Sequence, residues 1–120
     1  MITLATLSEA TEQEVFDQVA IHLLSQNRKA IDGPVCAYHS PDGIKCAAGC
    51  LISEEEYAPT MEKNKWSSLV DHNLVPCTHN YLISDLQRVH DNYPPKDWPK
   101  ELLNLGKRFS LNAKSIAPYQ

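Results

Sequence analysis

Two stretches of the chain carry apolar residues at helical spacing, and they constrain the fold more than any other feature of the sequence. In the first stretch, Thr11 and Glu14 form the Thr-x-x-Glu pattern of a capping box directly before an apolar run. The apolar positions then recur at intervals of three and four residues: Val15, Phe16, Val19, Ala20, Leu23 and Leu24. Basic residues and Asp32-Gly33-Pro34 follow, so we expect this helix to end near Asn27.

The second stretch is predicted to begin after an N-cap at Thr78 and to run to about Asn92, because Pro94-Pro95 cannot continue a helix. Its apolar stripe is formed by Leu82, Leu86, Val89 and Tyr93. A helix with one apolar face must bury that face against another element. The two stripes therefore predict helices that share one core.

Three shorter helical segments are predicted in addition. Ser53 and Glu56 repeat the capping-box pattern and open a short turn. A short helix around Trp66 is expected to end near Asn73, and the last helix is expected to open at Asp97 or Trp98. We expect residues 1–112 to form a single compact domain and residues 113–120 to form a C-terminal tail.

A β-hairpin is predicted after the first helix, because Ser40-Pro41-Asp42-Gly43 matches a type I turn followed by a left-handed glycine. This turn would place Tyr38 opposite Cys46 and Cys36 opposite Ala48. The small residues of 47–50 allow another backbone, from this chain or from a partner, to approach closely. The predicted fold class is mainly α (α+β), with four to five short helices packed around one small β-hairpin.

Composition narrows the class of protein. The 120 residues are 42% hydrophobic and 22% charged, with a formal net charge of −4, which is typical of a globular domain. No apolar run reaches the roughly 18 residues of a membrane helix, and the N-terminus lacks the basic and apolar regions of a secretory signal. We therefore expect a cytoplasmic protein with no membrane partner. The acidic balance argues against a nucleic-acid partner.

The most suggestive chemical pattern is Cys36-x2-His39-x6-Cys46-x3-Cys50. Cysteine and histidine are the usual ligands of structural zinc, so a small zinc-binding domain for protein or nucleic-acid contact is one prediction. The spacing differs from the standard zinc motifs, and the predicted hairpin turns His39 away from Cys36 and Cys46. Buried structural thiols are the alternative.

A hydrolase that depends on cysteine and histidine is a further alternative. Cys46 or Cys50 would act as the nucleophile, activated by His79 or His90. The sequence shows no signature of a thiol-protease class and no glycine-rich phosphate loop, so no catalytic residue is predicted. His90 and Asp91 are neighbours, but adjacent helix positions point about 100° apart, so we do not expect them to pair.

A ligand-binding site is predicted where aromatic, basic and small residues meet, with the following members: Tyr38, Lys45, Tyr57, Arg88 and His90. An aromatic ring would stack on a base, while Lys45, Lys63 or Arg88 would meet a phosphate. The alternative is that this segment only supplies the β element of the core. A chain of this size forms a pocket most easily between subunits, so a homo-oligomer is expected.

The segment CAYHSPDGIKCAAGCLI at Cys36–Ile52 is distinctive, as are Glu55-x-Tyr57-x-Pro59-x-Met61-Glu62 and Leu86-Gln87-x2-His90-Asp91. With these motifs the chain resembles a family of small proteins encoded by bacteriophages and some bacterial genomes. The resemblance supplies no catalytic residues. It implies a phage-type accessory protein that binds a host component in the bacterial cytoplasm, as an anti-defence inhibitor or as a sequestering protein for a nucleotide-like signal.

Overall fold

Four α-helices and one two-stranded hairpin make up the regular structure, in a computed structural model that describes all 120 residues. The helices are α1 (Glu12–Gln26), α2 (Trp66–Asp71), α3 (Asn80–Asn92) and α4 (Trp98–Arg108). The strands are β1 (Ile31–Asp32) and β2 (Val35–Cys36), which lie between α1 and α2. The remaining regular segments are single 3-10 turns. The predicted fold class, a mainly helical α+β domain, is confirmed.

The first helix forms as its sequence dictates. The Thr11 side chain accepts a hydrogen bond from the Glu14 backbone, and the Glu14 carboxylate accepts one from the Thr11 backbone, so the capping box is complete. The predicted apolar stripe supplies all the buried residues of α1. The helix ends at Asn27, which has a left-handed backbone with φ of 52°.

The core lies where α3 packs against α1, α2 and α4. Its largest fully buried side chains include Phe16, Trp66 and Trp98. Gly106 lies inside α4, where a Cβ atom would come within 3.3 Å of the Phe16 ring. A Cβ atom at this position would require the Phe16 ring to shift by a few tenths of an ångström. None of the helices combines the length and the apolar composition that a membrane crossing requires.

The hairpin forms earlier in the chain than the sequence predicted. In the observed antiparallel pair, Ile31 lies opposite Cys36 and Asp32 lies opposite Val35. The predicted turn does form, since the Ser40 backbone donates to the Ile44 carbonyl at 2.8 Å. However, only one bridge follows it, between His39 and Lys45. The chain then enters a 3-10 turn at Ala48–Leu51, so the predicted pairing of Cys36 with Ala48 does not occur.

A close backbone approach causes this departure from a hairpin. A Cβ atom on Gly49 would lie only 2.0 Å from the Tyr38 carbonyl oxygen. The small-residue run therefore packs against the backbone of its own chain.

The start of α3 and the C-terminal segment of the chain differ from the sequence prediction. The N-cap of α3 is His79 rather than Thr78, with a left-handed φ of 60° and its ring Nε2 donating to the Ala10 carbonyl at 2.6 Å. Residues 113–120, predicted as a tail, pack against the core through Ile116, which is fully buried. Gln13 fixes the start of this segment by two hydrogen bonds to the Asn112 backbone.

Candidate ligand-binding cleft

A cleft of about 710 Å³ lies between three parts of the chain. Residues 35–38 of the hairpin and its extension contribute the first part, and residues 63–67 before and within α2 contribute the second. The third part comes from the C-terminal half of α3. The volume falls in the range of small-molecule sites, which is roughly 300–1,000 Å³.

The side chain of Glu62 joins the first two parts. Its carboxylate accepts hydrogen bonds from the backbone of Tyr38 at 2.9 Å and of His39 at 3.1 Å. It also accepts one from the Tyr57 hydroxyl at 2.6 Å. A single carboxylate therefore satisfies backbone donors that no strand partner meets, and it sets the distance between the hairpin extension and the loop before α2.

Two aromatic residues form the apolar base of the cleft. The rings of Tyr38 and Trp66 meet edge to face, with centroids 6.4 Å apart. Burial raises the pKa of Tyr38, so its hydroxyl stays protonated and donates to the Asn64 carbonyl at 2.6 Å. The buried indole Nε1 of Trp66 has no hydrogen-bond partner.

The rim of the cleft is basic although the protein carries a net charge of −4. Lys63 and Lys65 are exposed, and neither forms an ion pair. Arg88 of α3 also lines the cleft, and its guanidinium pairs with Asp85 at 2.6 Å. Neutral polar side chains complete the lining: Asn64, Ser67, Ser84, Gln87 and Asn92.

One carboxylate, that of Asp91, also lines the cleft. Its Oδ1 accepts from Gln87 Nε2 at 2.7 Å and from His90 Nδ1 at 2.8 Å. Burial alone would raise the pKa of Asp91, but hydrogen bonds from His90, Cys36 and Gln87 outweigh burial and hold the pKa below its ordinary value. Asp91 is therefore an anion at neutral pH.

The pairing of His90 with Asp91 corrects the sequence analysis. Adjacent side chains of a helix do diverge, but Nδ1 is the ring nitrogen nearest the backbone. A turn of the ring brings it to a neighbouring carboxylate in the last turn of α3. His90 is itself fully buried, so it lies behind the cleft and not in its lining.

Cys36, His90 and Asp91 place one possible metal-ligand atom each within 4.8 Å of the others. The hydrogen bonds of His90 do not suit a metal ion. Its Nε2 accepts from the Ala30 backbone at 3.0 Å, so the ring proton must lie on Nδ1, the atom that would bind the ion. Binding would require a doubly deprotonated ring or an orphaned Ala30 donor. The cluster fits a hydrogen-bonded group better than a metal centre.

The predicted zinc ligands Cys36, His39, Cys46 and Cys50 do not come together as a four-ligand cluster. The His39 ring lies 3.0 Å from two backbone carbonyl oxygens and stacks on Tyr57, with centroids 4.3 Å apart. The Cys50 thiol donates to the Ala47 carbonyl at 3.1 Å. Cys46 Sγ accepts from the Gly49 backbone at 3.2 Å.

Three of the four thiols, those of Cys36, Cys46 and Cys50, do not have the environment of nucleophiles. Burial raises the pKa of Cys36 to about 11 and that of Cys50 to about 12, and it raises the pKa of the fully buried Cys46 as well. The histidines that were to activate Cys46 or Cys50 are occupied elsewhere. His79 binds the Ala10 carbonyl, and His90 binds the Ala30 backbone and Asp91.

The five predicted ligand-binding residues divide between the cleft and other places. Tyr38 and Arg88 line the cleft. Lys45 pairs with Glu54 at 3.2 Å, Tyr57 stacks on His39, and His90 lies in the core. The structure thus does not bring Lys45, Tyr57 and His90 into one site with Tyr38 and Arg88.

Lys65 and Asp91 are lining residues that the sequence did not predict, whereas Lys63 is one of the predicted phosphate contacts. Lys65 stands in the Glu-Lys-Asn-Lys-Trp segment, whose alternating basic residues before a helix were a usable signal.

Comparisons with protein-family models, with curated proteins and with solved structures find no match.

Proposed function

We propose that the protein is a binding protein that sequesters a small anionic ligand of the nucleotide class in this cleft. The observation that carries the proposal is the placement of Lys63, Lys65 and Arg88 around one cavity of a chain whose net charge is −4. Cations gathered at one concave site on an acidic protein attract an anionic ligand locally. The neutral amides and hydroxyls of the lining provide hydrogen bonds that fix its orientation.

Binding without turnover is the form of the proposal that the side chains support. The thiols of the lining have raised pKa values, and the one histidine near the cleft has both ring nitrogens engaged. Neither group is prepared to attack a phosphate or an acyl carbon. The activity we propose is therefore stoichiometric capture.

The biological setting is part of the proposal. With the resemblance to small phage-encoded proteins, capture of a nucleotide-like signal in the bacterial cytoplasm would act against a host defence that depends on that signal. The second candidate is a direct anti-defence inhibitor that binds a host protein. In that case the basic rim would meet an acidic protein surface.

Isothermal titration calorimetry with ribonucleoside 5′-monophosphates and 5′-diphosphates tests the proposal. We expect at least one nucleotide to bind with a stoichiometry of one per cleft. The double variant Lys63→Glu/Lys65→Glu should weaken that binding by at least about tenfold, and added salt should weaken binding to the wild type. Lys114→Glu is the matched control, since Lys114 is exposed and does not line the cleft.

Two results would overturn the proposal. If no nucleotide of either series binds, the cleft is not a nucleotide site, and the protein inhibitor becomes the leading candidate. If the double variant binds as tightly as the Lys114→Glu control, the basic rim does not hold the ligand.

A further inference from the structure

The cleft contains one anion among its cations, and the proposed function does not yet explain it. Asp91 follows Arg88 by three residues in α3, so the two side chains lie on the same side of the helix. The Asp91 side chain is 36% exposed, and it lines the same cavity as Lys63 and Lys65. A ligand in the cleft would therefore meet positive charge at the rim and a fixed negative charge at Asp91.

The Asp91 carboxylate is held rigidly by groups that are themselves anchored. Gln87 donates to Oδ1, and the Gln87 amide oxygen accepts from the Ala48 backbone at 2.9 Å. His90 also donates to Oδ1, and its second nitrogen accepts from the Ala30 backbone. Both side chains that donate to Oδ1 are thus anchored in turn by a backbone amide.

After these contacts, the Asp91 carboxylate can still accept hydrogen bonds from a ligand. A carboxylate offers about four lone-pair positions on its two oxygens. The two donors measured above both reach Oδ1, the Cys36 thiol is a further donor to the carboxylate, and Lys29 Nζ donates to the Asp91 backbone carbonyl at 3.0 Å. Oδ2 accepts neither of the two measured bonds, so it is the oxygen that can meet a ligand, and two adjacent donors would both have to converge on it. A phosphate at this point would be repelled, whereas an N–H group would be bound.

This arrangement bears on which nucleotide the cleft would take, an inference that rests on the proposed function. We propose that Asp91 recognises the base of the ligand and selects guanine nucleotides over adenine, cytosine and uracil nucleotides. Guanine presents two adjacent donors, N1–H and the N2 amine, with no lone pair between them. Adenine and cytosine place an acceptor nitrogen beside their single amine, and uracil flanks its N3–H with two carbonyl oxygens. A fixed carboxylate attracts the first pattern and repels lone pairs in the others.

The ligand side of this proposal is tested on the wild-type protein, so that folding of a variant does not enter. Calorimetry with GMP, IMP, AMP, CMP and UMP compares ligands that share one phosphate and differ only in the base. We expect GMP to bind at least about tenfold more tightly than AMP, CMP or UMP, the effect of one hydrogen bond to a charged group. IMP lacks only the N2 amine, and we expect an intermediate affinity for it.

The protein side is tested with Asp91→Asn, which keeps the size of the side chain and removes its charge. The variant should bind GMP about tenfold less tightly and should lose the preference of GMP over IMP, because the amide oxygen stays with Gln87 and His90 and the amide NH2, a donor, replaces Oδ2. Asp71→Asn is the matched control, since Asp71 is exposed, lies outside the cleft and forms no ion pair.

The outcomes separate the two proposals. If all five monophosphates bind equally to the wild type, selection by Asp91 is overturned while nucleotide capture stands. If Asp91→Asn folds and keeps the full GMP preference, another group reads the base, and the assignment to Asp91 is overturned. If no monophosphate or diphosphate binds, both proposals fail.

Discussion

Replacement of Gly49 by alanine should destabilise the protein strongly, because the added methyl group has no space. The Cβ atom would lie 2.0 Å from the Tyr38 carbonyl oxygen and 2.8 Å from its carbonyl carbon. A carbon and a carbonyl oxygen normally stay at least about 3.3 Å apart, so the two segments must separate by about 1.3 Å. The atoms that must move are backbone atoms, and they cannot be displaced by a change of side-chain rotamer.

The cost can be worked from these contacts. Overpacking a well-filled core costs about 1–3 kcal/mol, and this clash belongs at the upper end. The same Tyr38 carbonyl accepts a hydrogen bond from Cys46 at 3.2 Å, and its loss adds about 1 kcal/mol. The variant Gly49→Ala should therefore lose about 3–4 kcal/mol. A chain of 120 residues has an unfolding entropy of about 0.25 kcal/mol/K, so Tm should fall by about 12–16 °C.

Urea unfolding monitored by circular dichroism measures this loss, and Gly106→Ala is the control. Gly106 accepts a Cβ atom at 3.3 Å from the ring of Phe16, a side chain that can shift slightly. Alanine also gains up to about 1 kcal/mol over glycine in a helix interior. We expect this control to remain within about 1 kcal/mol of the wild type. Equal stability of the two variants would refute the argument from the close approach of Gly49 to Tyr38.

Three further predictions concern single side chains. Glu56→Gln should make the free energy of unfolding fall less steeply in acid. Burial would raise the pKa of Glu56, but hydrogen bonds to its carboxylate hold that pKa below its ordinary value. The Glu56 carboxylate therefore stabilises the fold at neutral pH, and this stabilisation is lost as pH falls through the folded pKa. Urea midpoints across the acid range measure this, and parallel curves for variant and wild type would contradict it. His90→Leu should cost about 2–4 kcal/mol in urea unfolding, because it leaves the buried Ala30 donor unpaired and removes a donor from Asp91. Iodoacetamide at neutral pH should label Cys77 first, since it is the one exposed thiol and burial raises the pKa of the other three; peptide mass mapping that finds another cysteine labelled as fast would refute this.

The helices could be predicted from the sequence because their signals are local. The capping box at Thr11 and the apolar stripe of α1 lie within one stretch of chain, and both form as expected. The same holds for the helices at Trp66 and Trp98, which begin at or next to the predicted residues. Apolar periodicity and capping residues report on the segment that carries them.

The irregular half of the chain could not be predicted in the same way, because distant residues decide it. Glu62 binds the backbone of Tyr38 and His39 across 24 and 23 residues of sequence, with no periodic pattern to announce it. Gly49 signalled a close backbone approach, but its partner could not be named from the sequence. The cleft could not be predicted for the same reason, since Glu62 joins two of its three parts.

The dependence of the cleft on Glu62 has a consequence for native-state hydrogen exchange. The amides of Tyr38 and His39 are bound by the Glu62 side chain and not by a strand, whereas residues 46–52 of the same stretch share the apolar core with α1, α3 and α4. Backbone that is not held in a helix or a strand ladder opens at lower free energy than the global unfolding step. The amides of Tyr38 and His39 should therefore exchange through a partial opening that leaves the helices closed. A ligand that bridges the loop before α2 to α3 would suppress this opening, so protection of these two amides would report occupancy of the cleft.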